Sequence, residues 1–397
     1  MKFRPYFILT FLLFLSLTKN TNAQSLDSLN TLKISLLTCG AGEEMYSMYG
    51  HTAVRIQNNV TGSDEVYNYG LFDFWDPNFL PKFLKGSLLY FVGKSSFSDF
   101  MSEYREAKRS VKEDILNISQ DEAKAIRIYL ENNLKPENRA YHYDFVYDNC
   151  ATRVRDIFPP SLGEKFKWGP VFENNQQFTF RNVLDEYEKH NHWVKFGINI
   201  LLGSETDKVM NNEQAMFLPD LLRNAMKSAT LDGKPLIVKD LTLLQGTSHP
   251  EKSMNPAIWT MAGLLLFTML VFFVPSLRFM KSSLTFILLF TTGLVGSLAL
   301  FMWIGTAHRA CNNNFNVLWA LPINIFVAVT VFKPRFWHAI YAKIAVGLLM
   351  LTLVLHLAGI QSFPLPELLP LLFCLLYCYL FLIKRKVNKE KIAETSA

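Results

Sequence analysis

Hydrophobic positions along this chain follow two regimes. From Lys33 to roughly residue 247 they alternate, or recur at helical spacing, among polar residues; beyond Asn255 they run on almost without a break. In the first regime, residues 34–38 read as a strand that ends at Cys39-Gly40-Ala41-Gly42, where glycine permits a tight loop. One or two helical turns are expected over 43–49, closed by Gly50. The next strand, 51–56, would place Val54 and Ile56 on its core face, and after a polar turn residues 66–70 would pair with it as a hairpin. Helix is expected over 98–108. Ser119-Gln120-Asp121-Glu122 forms a capping box opening another that runs to about Leu134. The run 141–145 looks extended and gives way to a helix in which Val154 and Ile157 stand at i+4 and i+7 from Cys150. Residues 160–252 hold no recognisable chemistry; Phe196 to Leu202 is an apolar strip, and Met216 to Pro219 is expected in the core rather than against a membrane.

The ends of the chain change the picture. Lys2 and Arg4 precede an apolar core, Phe7 to Leu17, and Thr21-Asn22-Ala23 follows, which predicts a secretory signal over 1–23. An uncleaved anchor is the alternative. A soluble exported domain would then occupy 24–252, a membrane domain 253–383 and a basic tail 384–397. Five hydrophobic runs, near 256–275, 284–304, 315–332, 339–359 and 364–383, approach the ~20 residues a crossing needs, the third falling slightly short. Cations follow the first, third and fifth runs: Arg278 and Lys281, Lys333 and Arg335, then Lys384, Arg385, Lys386, Lys389 and Lys391. The two other loops hold only Arg309 as a permanent cation, so the soluble domain is expected outside the membrane and the tail in the cytoplasm. The formal charge of +6 therefore reflects membrane topology, not a nucleic-acid partner. Cysteines 39, 150, 311, 374 and 378 have neither metal-ligand spacing nor a disulfide framework, and no metal or cofactor is expected.

Candidate chemistry centres on Cys150. Asp148 or Asn149 can cap the helix that follows, which puts the thiol in its first turn, where the helix dipole favours a thiolate. The competing reading is a small buried hydrophobe. A thiol nucleophile needs a base, and histidine suits neutral pH. His51 opens a strand directly after a glycine and is the candidate, a loop-capping imidazole being the alternative. Asn68, on the strand expected to pair with His51, is the candidate for orienting it, with Glu44 and His142 behind it. His190 and His192 read as solvated. A bridge between Cys39 and Cys311 is chemically permitted outside the cytoplasm but not expected, and Cys374 and Cys378, one turn apart, should pack against helix or lipid.

The segments Gly50-His51-Thr52-Ala53-Val54-Arg55-Ile56 and Tyr143-Asp144-Phe145-Val146-Tyr147-Asp148-Asn149-Cys150-Ala151-Thr152-Arg153 resemble the Bacteroidetes lipoprotein N-acyltransferase family (Lnb). Leu37-Thr38-Cys39-Gly40, with Gly42-Glu43 and Tyr46-Ser47, is similar to its opening motif, Ala41 standing where proline is expected. The likeness extends over roughly residues 33–330 and takes in His308 and Asn314-Phe315-Asn316-Val317-Leu318-Trp319. It implies an α+β periplasmic domain of permuted papain-like fold, as in lecithin–retinol acyltransferase-type enzymes, followed by an all-α five-helix transmembrane bundle. It implies an integral inner-membrane enzyme that moves a fatty acyl chain from a phospholipid donor, through a thioester on Cys150, to the N-terminal amine of a diacylglyceryl lipoprotein. His51 would be the base, with Glu44, Ser47, Arg153, His308, Arg309, Asn314 and Asn316 as substrate contacts. For the loop residues among these, plain surface polarity is an equal alternative. Two other classes stay open from the residues alone: a papain-like hydrolase of peptidoglycan or peptide, and a non-enzymatic envelope sensor.

Overall fold

The structure is a computed structural model that describes residues 31–42, 44, 47–73, 75–173, 176–247 and 254–385. The expected signal segment and all but the first two residues of the basic tail lie outside the described residues, as do Glu43 and Tyr46 of the opening motif and Met45 between them. Among the described residues, ten strands follow in chain order: β1 Leu32–Cys39, β2 His51–Asn58, β3 Asp64–Leu71, β4 Leu89–Ser96, β5 Val111–Leu116, β6 Ala140–His142, β7 Phe166–Lys167, β8 Thr230–Leu231, β9 Lys234–Pro235 and β10 Ile237–Leu244. β7, β8 and β9 make a small sheet, and the other seven form one sheet in the order β10-β5-β1-β2-β3-β4-β6. All its pairings are antiparallel.

The larger helices of this half are α1 Phe79–Lys85, α2 Phe97–Glu106, α3 Gln120–Asn133, α4 Cys150–Arg155, α5 Phe180–Tyr187, α6 His192–Leu201 and α7 Pro219–Lys227. The sheet is covered on both faces, which explains why its strands are apolar at successive positions instead of alternating cleanly. Leu36, Val54, Ile56 and Tyr67 pack with α3, α4 and α7, whereas Leu37, Ala53 and Val66 pack with Phe100, Met101 and Tyr104 of α2. The capping box at Ser119 and Glu122 forms as expected, and Met216, Phe217 and Leu218 lie in the core. The extended run before the cysteine is shorter than expected: only residues 140–142 pair as a strand, and Asp144 and Asp148 close a tight turn through reciprocal backbone bonds.

In the second half, α8 Pro256–Phe273, α9 Lys281–Ile304, α11 Phe336–Leu357 and α12 Leu365–Lys384 are long and apolar enough to cross a membrane. The third hydrophobic run is not such a helix. It is a turn of 3-10 helix at Phe315–Leu318, a bend at Ala320, a turn at Pro322 and Ile323, and the seven-residue α10, Asn324–Thr330. It nevertheless joins the two ends of the bundle: Asn314 is bonded to the soluble half, and the Val331 carbonyl accepts from Arg385 beyond the far end of α12. Glycine makes the fit possible. A Cβ at Gly296 would lie 1.5 Å from the Ala320 carbonyl oxygen, and one at Gly293 would lie 2.7 Å from the Ile325 nitrogen. Asn324, fully buried, accepts from Tyr341 and Tyr379 and donates to Thr292, which satisfies a polar side chain deep in an apolar bundle.

The two halves meet through the loop after α9. Phe196 and Ile200 of α6 pack with the apolar cluster of the bundle, whereas Ile198 and Leu202 pack with the core of the first half, so the strip 196–202 is shared between the two. Arg181, 2% exposed, pairs with Asp207 and donates to Asn199 and to the carbonyls of Leu202 and Gly203. That fixes a bend whose Gly203 and Ser204 amides then bond the carbonyls of Ala310 and Asn313.

Candidate active site

β2 and α4 carry the candidate residues, and local sequence sets where they point. Asn149 caps α4: its Oδ1 accepts from the Ala151 and Thr152 amides, and Thr152 Oγ1 returns a bond from the Asn149 amide. Its Nδ2 donates to the carbonyls of Phe145 and Phe217, anchoring the turn before the helix to the core. Val154 and Ile157 are fully buried on the face expected. Cys150 is thereby held at the first helical position, half-buried and free.

His51 is hydrogen-bonded through Nε2 to Asn68 Oδ1 at 2.5 Å, and its side chain interacts with the Cys150 thiol. Burial opposes charge on both partners, yet each is shifted toward its charged form. For Cys150, the charge and hydrogen bond of His51 and the amides of Thr52 and Ala151 outweigh burial, and its pKa falls below the ordinary thiol value. For His51, burial is offset by Cys150 and by the hydrogen bond to Asn68, and its pKa rises. Such a pair favours thiolate and imidazolium. Gly70 is a further neighbour, one that sequence reasoning missed: with φ +95°, a Cβ there would stand 3.8 Å from Cys150 Cβ and 4.0 Å from His51 Cε1. It lies at an irregularity in the β3–β4 pairing, and a glycine inside a strand pattern is the signal that could have exposed it.

The other expected residues divide. Arg309 stacks 3.8 Å from the ring centroid of Tyr147, three residues before the cysteine. His308 sits at the other side of the same loop, bonded to the Phe83 carbonyl at 3.1 Å. Arg153 is committed to Asp148 and lies over Tyr141. The Ser47 hydroxyl donates to the Glu44 carbonyl within its own turn, and the Glu44 side chain is exposed. Asn314 and Asn316 depart from expectation. Both are fully buried and spend their amides on the carbonyls of Asn199, Ile200 and Leu201, the unpaired C-terminal groups of α6, so they join the two halves rather than face a substrate. His142 is exposed. All five cysteines are free, so Cys39 and Cys311 are not bridged, and Cys374 and Cys378 are packed inside the bundle. A cavity of about 370 Å³ opens between Arg181, His192 and Lys195 and the ends of α8 and α12 near Asn255 and Glu367, and none of Cys150, His51 and Asn68 lines it.

Compared with known families, residues 19–185 match the Lnb N-terminal periplasmic domain and residues 248–390 match the Lnb transmembrane domain. No curated protein and no solved structure matches the chain.

Proposed function

From the premise that this chain belongs to the Lnb family and is a multi-pass membrane protein, we propose that it is a membrane-bound lipoprotein N-acyltransferase with Cys150 as nucleophile. The observation that carries the reading is the Cys150–His51–Asn68 line at the start of a capped helix, in a domain fused to a membrane bundle. The order of histidine strand before cysteine helix fits a permuted papain-like fold. The signal at 1–23, the soluble domain at 24–252 on the periplasmic face of the inner membrane, and five crossings with the broken third run counted belong to the same proposal.

The chemistry follows from the pair. The Cys150 thiolate attacks an ester carbonyl of a phospholipid; a C–S bond forms, and the C–O bond breaks as the His51 imidazolium gives its proton to the departing lysophospholipid alkoxide. The free amine of a diacylglyceryl lipoprotein then attacks the thioester. An amide C–N bond forms, His51 takes the amine proton, and the C–S bond breaks to restore the thiolate. Asn68 accepts from Nε2 and so leaves the other ring nitrogen to serve the thiol. Gly70 keeps the space beside sulfur open for the tetrahedral carbon. A donor and an acceptor that are both lipids explain the fused bundle, since a water-soluble substrate would need no membrane domain. Mass spectrometry of lipoprotein N-termini, in cells whose only copy carries Cys150→Ser, tests the reading. Lipoproteins with two acyl chains and a free amine are expected; full N-acylation would sink it.

A further inference from the structure

The segment between β3 and β4 shows apolar side chains to the outside where it meets the membrane half. Trp75 is 91% exposed and Leu80 61%, Phe83 and Leu84 are exposed beside them, and no residue of α1 is buried. The end of this helix is tied to the loop after α9: the Ala307 amide donates to the Lys85 carbonyl at 2.9 Å, and His308 bonds the Phe83 carbonyl. Gly86, with φ +67°, allows that approach, since a Cβ there would come within 3.3 Å of Ala307 Cβ and the His308 nitrogen. Ala307 is three residues beyond the last residue of α9, so α1 stands where a membrane-crossing helix emerges. A tryptophan beside a short helix with leucine and phenylalanine outward and lysines between them suits the plane of a bilayer surface.

Inward from α1 the aromatic rings form a row. Centroids of Phe83 and Phe79 are 6.0 Å apart, Phe79 and Phe72 5.6 Å, Phe72 and Tyr90 5.0 Å, and Tyr90 and Tyr143 4.4 Å. Tyr143 and Cys150 in turn pack against the same buried core cluster. We propose that residues 75–85 dip into the outer leaflet and that this row of rings receives a phospholipid acyl chain and guides it to Cys150. The occupant is lipid and not a second protein because the face continues the outer end of α9, and because Lys85 is placed to meet a headgroup phosphate. The guiding role rests on the acyl-transfer reading; the lipid contact of α1 does not.

Benzoylphenylalanine in place of Leu80, Phe72 or Val60 tests both parts. The full chain is placed in vesicles of phosphatidylethanolamine and phosphatidylglycerol with radiolabelled acyl chains, in a Cys150→Ser background so that label reports proximity alone. Val60, an exposed residue on the β2–β3 turn, sets the background. Photolysis should attach lipid at positions 80 and 72 at least tenfold more than at 60. Lipid at 80 no greater than at 60, or a protein adduct in its place, overturns the membrane contact. Lipid at 80 but not at 72 overturns the row. If the probe at 72 prevents folding, Phe72→Trp with brominated acyl chains reads the same position: extra quenching relative to the parent chain supports the row, and none overturns it. Adducts at both sites, where the parent chain with Cys150 intact never acylates lipoproteins, would count against the acyltransferase and with it the guiding role, and would leave the lipid contact of α1 standing.

Discussion

Cys39 and Cys150 both lie near His51, and their surroundings separate them. Cys39 is paired directly across from His51 on β1 and is almost fully buried, and burial pushes its thiol up to about 12. Cys150 is held below the ordinary value by His51 and two backbone amides. Iodoacetamide should therefore alkylate Cys150 with a pH midpoint below the ~8.5 of a free thiol and leave Cys39 untouched. Asn68→Ala removes a bond that raises the His51 pKa, so the imidazolium is lost at lower pH and the alkylation midpoint moves up. An unchanged profile in that variant would deny Asn68 its orienting role. Asn149→Ala removes the cap of α4 and orphans the buried Phe217 carbonyl, and a loss of ~3 kcal/mol is expected in thermal unfolding. The cysteine, its cap and its histidine could be read as residue types in order along the chain. Asn314 and Asn316 could not be read correctly, because a polar loop residue looks the same whether it meets solvent or the end of a helix 110 or more residues away in sequence.

At the scale of elements, helix boundaries marked by caps were legible, as at Ser119 and Asn149, because the capping chemistry is local. The third hydrophobic run was not. Hydropathy counts apolar residues but cannot see that Leu321-Pro322 breaks the backbone or that Asn324 finds three partners. The run comes closest to α9 where Gly296 lets the Ala320 carbonyl in. Gly296→Ala should therefore cost about 3 kcal/mol or more, by forcing the run off the helix, and lower the melting temperature in detergent. Gly347, on α11, has nothing within 4 Å of a built Cβ. Gly347→Ala should stay within about 1 kcal/mol of the parent. Equal effects at the two glycines would mean that the close approach at Gly296 does not hold the run in place.

For the whole molecule, orientation and chemistry must agree. If the cations that follow the first, third and fifth runs face the cytoplasm, a reporter active only outside the cytoplasm, fused after Ile392, should be silent. The junction at Gly203 and the loop after α9 holds the first half against the same end of the bundle as α1, which is where the proposed acyl transfer would take place. A lipid chain lifted clear of the bilayer into water would lose about 0.8 kcal/mol per methylene, which a thioester formed far from the surface could not recover. Loading and discharge of Cys150 are the central claim, and one labelling experiment reads both. The reconstituted full chain is given phospholipid with a labelled acyl chain and no acceptor, then a diacylglyceryl lipopeptide with a free N-terminal amine. The account predicts a hydroxylamine-sensitive label on Cys150 that moves to the lipopeptide amine and that is absent in Cys150→Ser. A label that never reaches Cys150, or that reaches the lipopeptide equally well in Cys150→Ser, would contradict it.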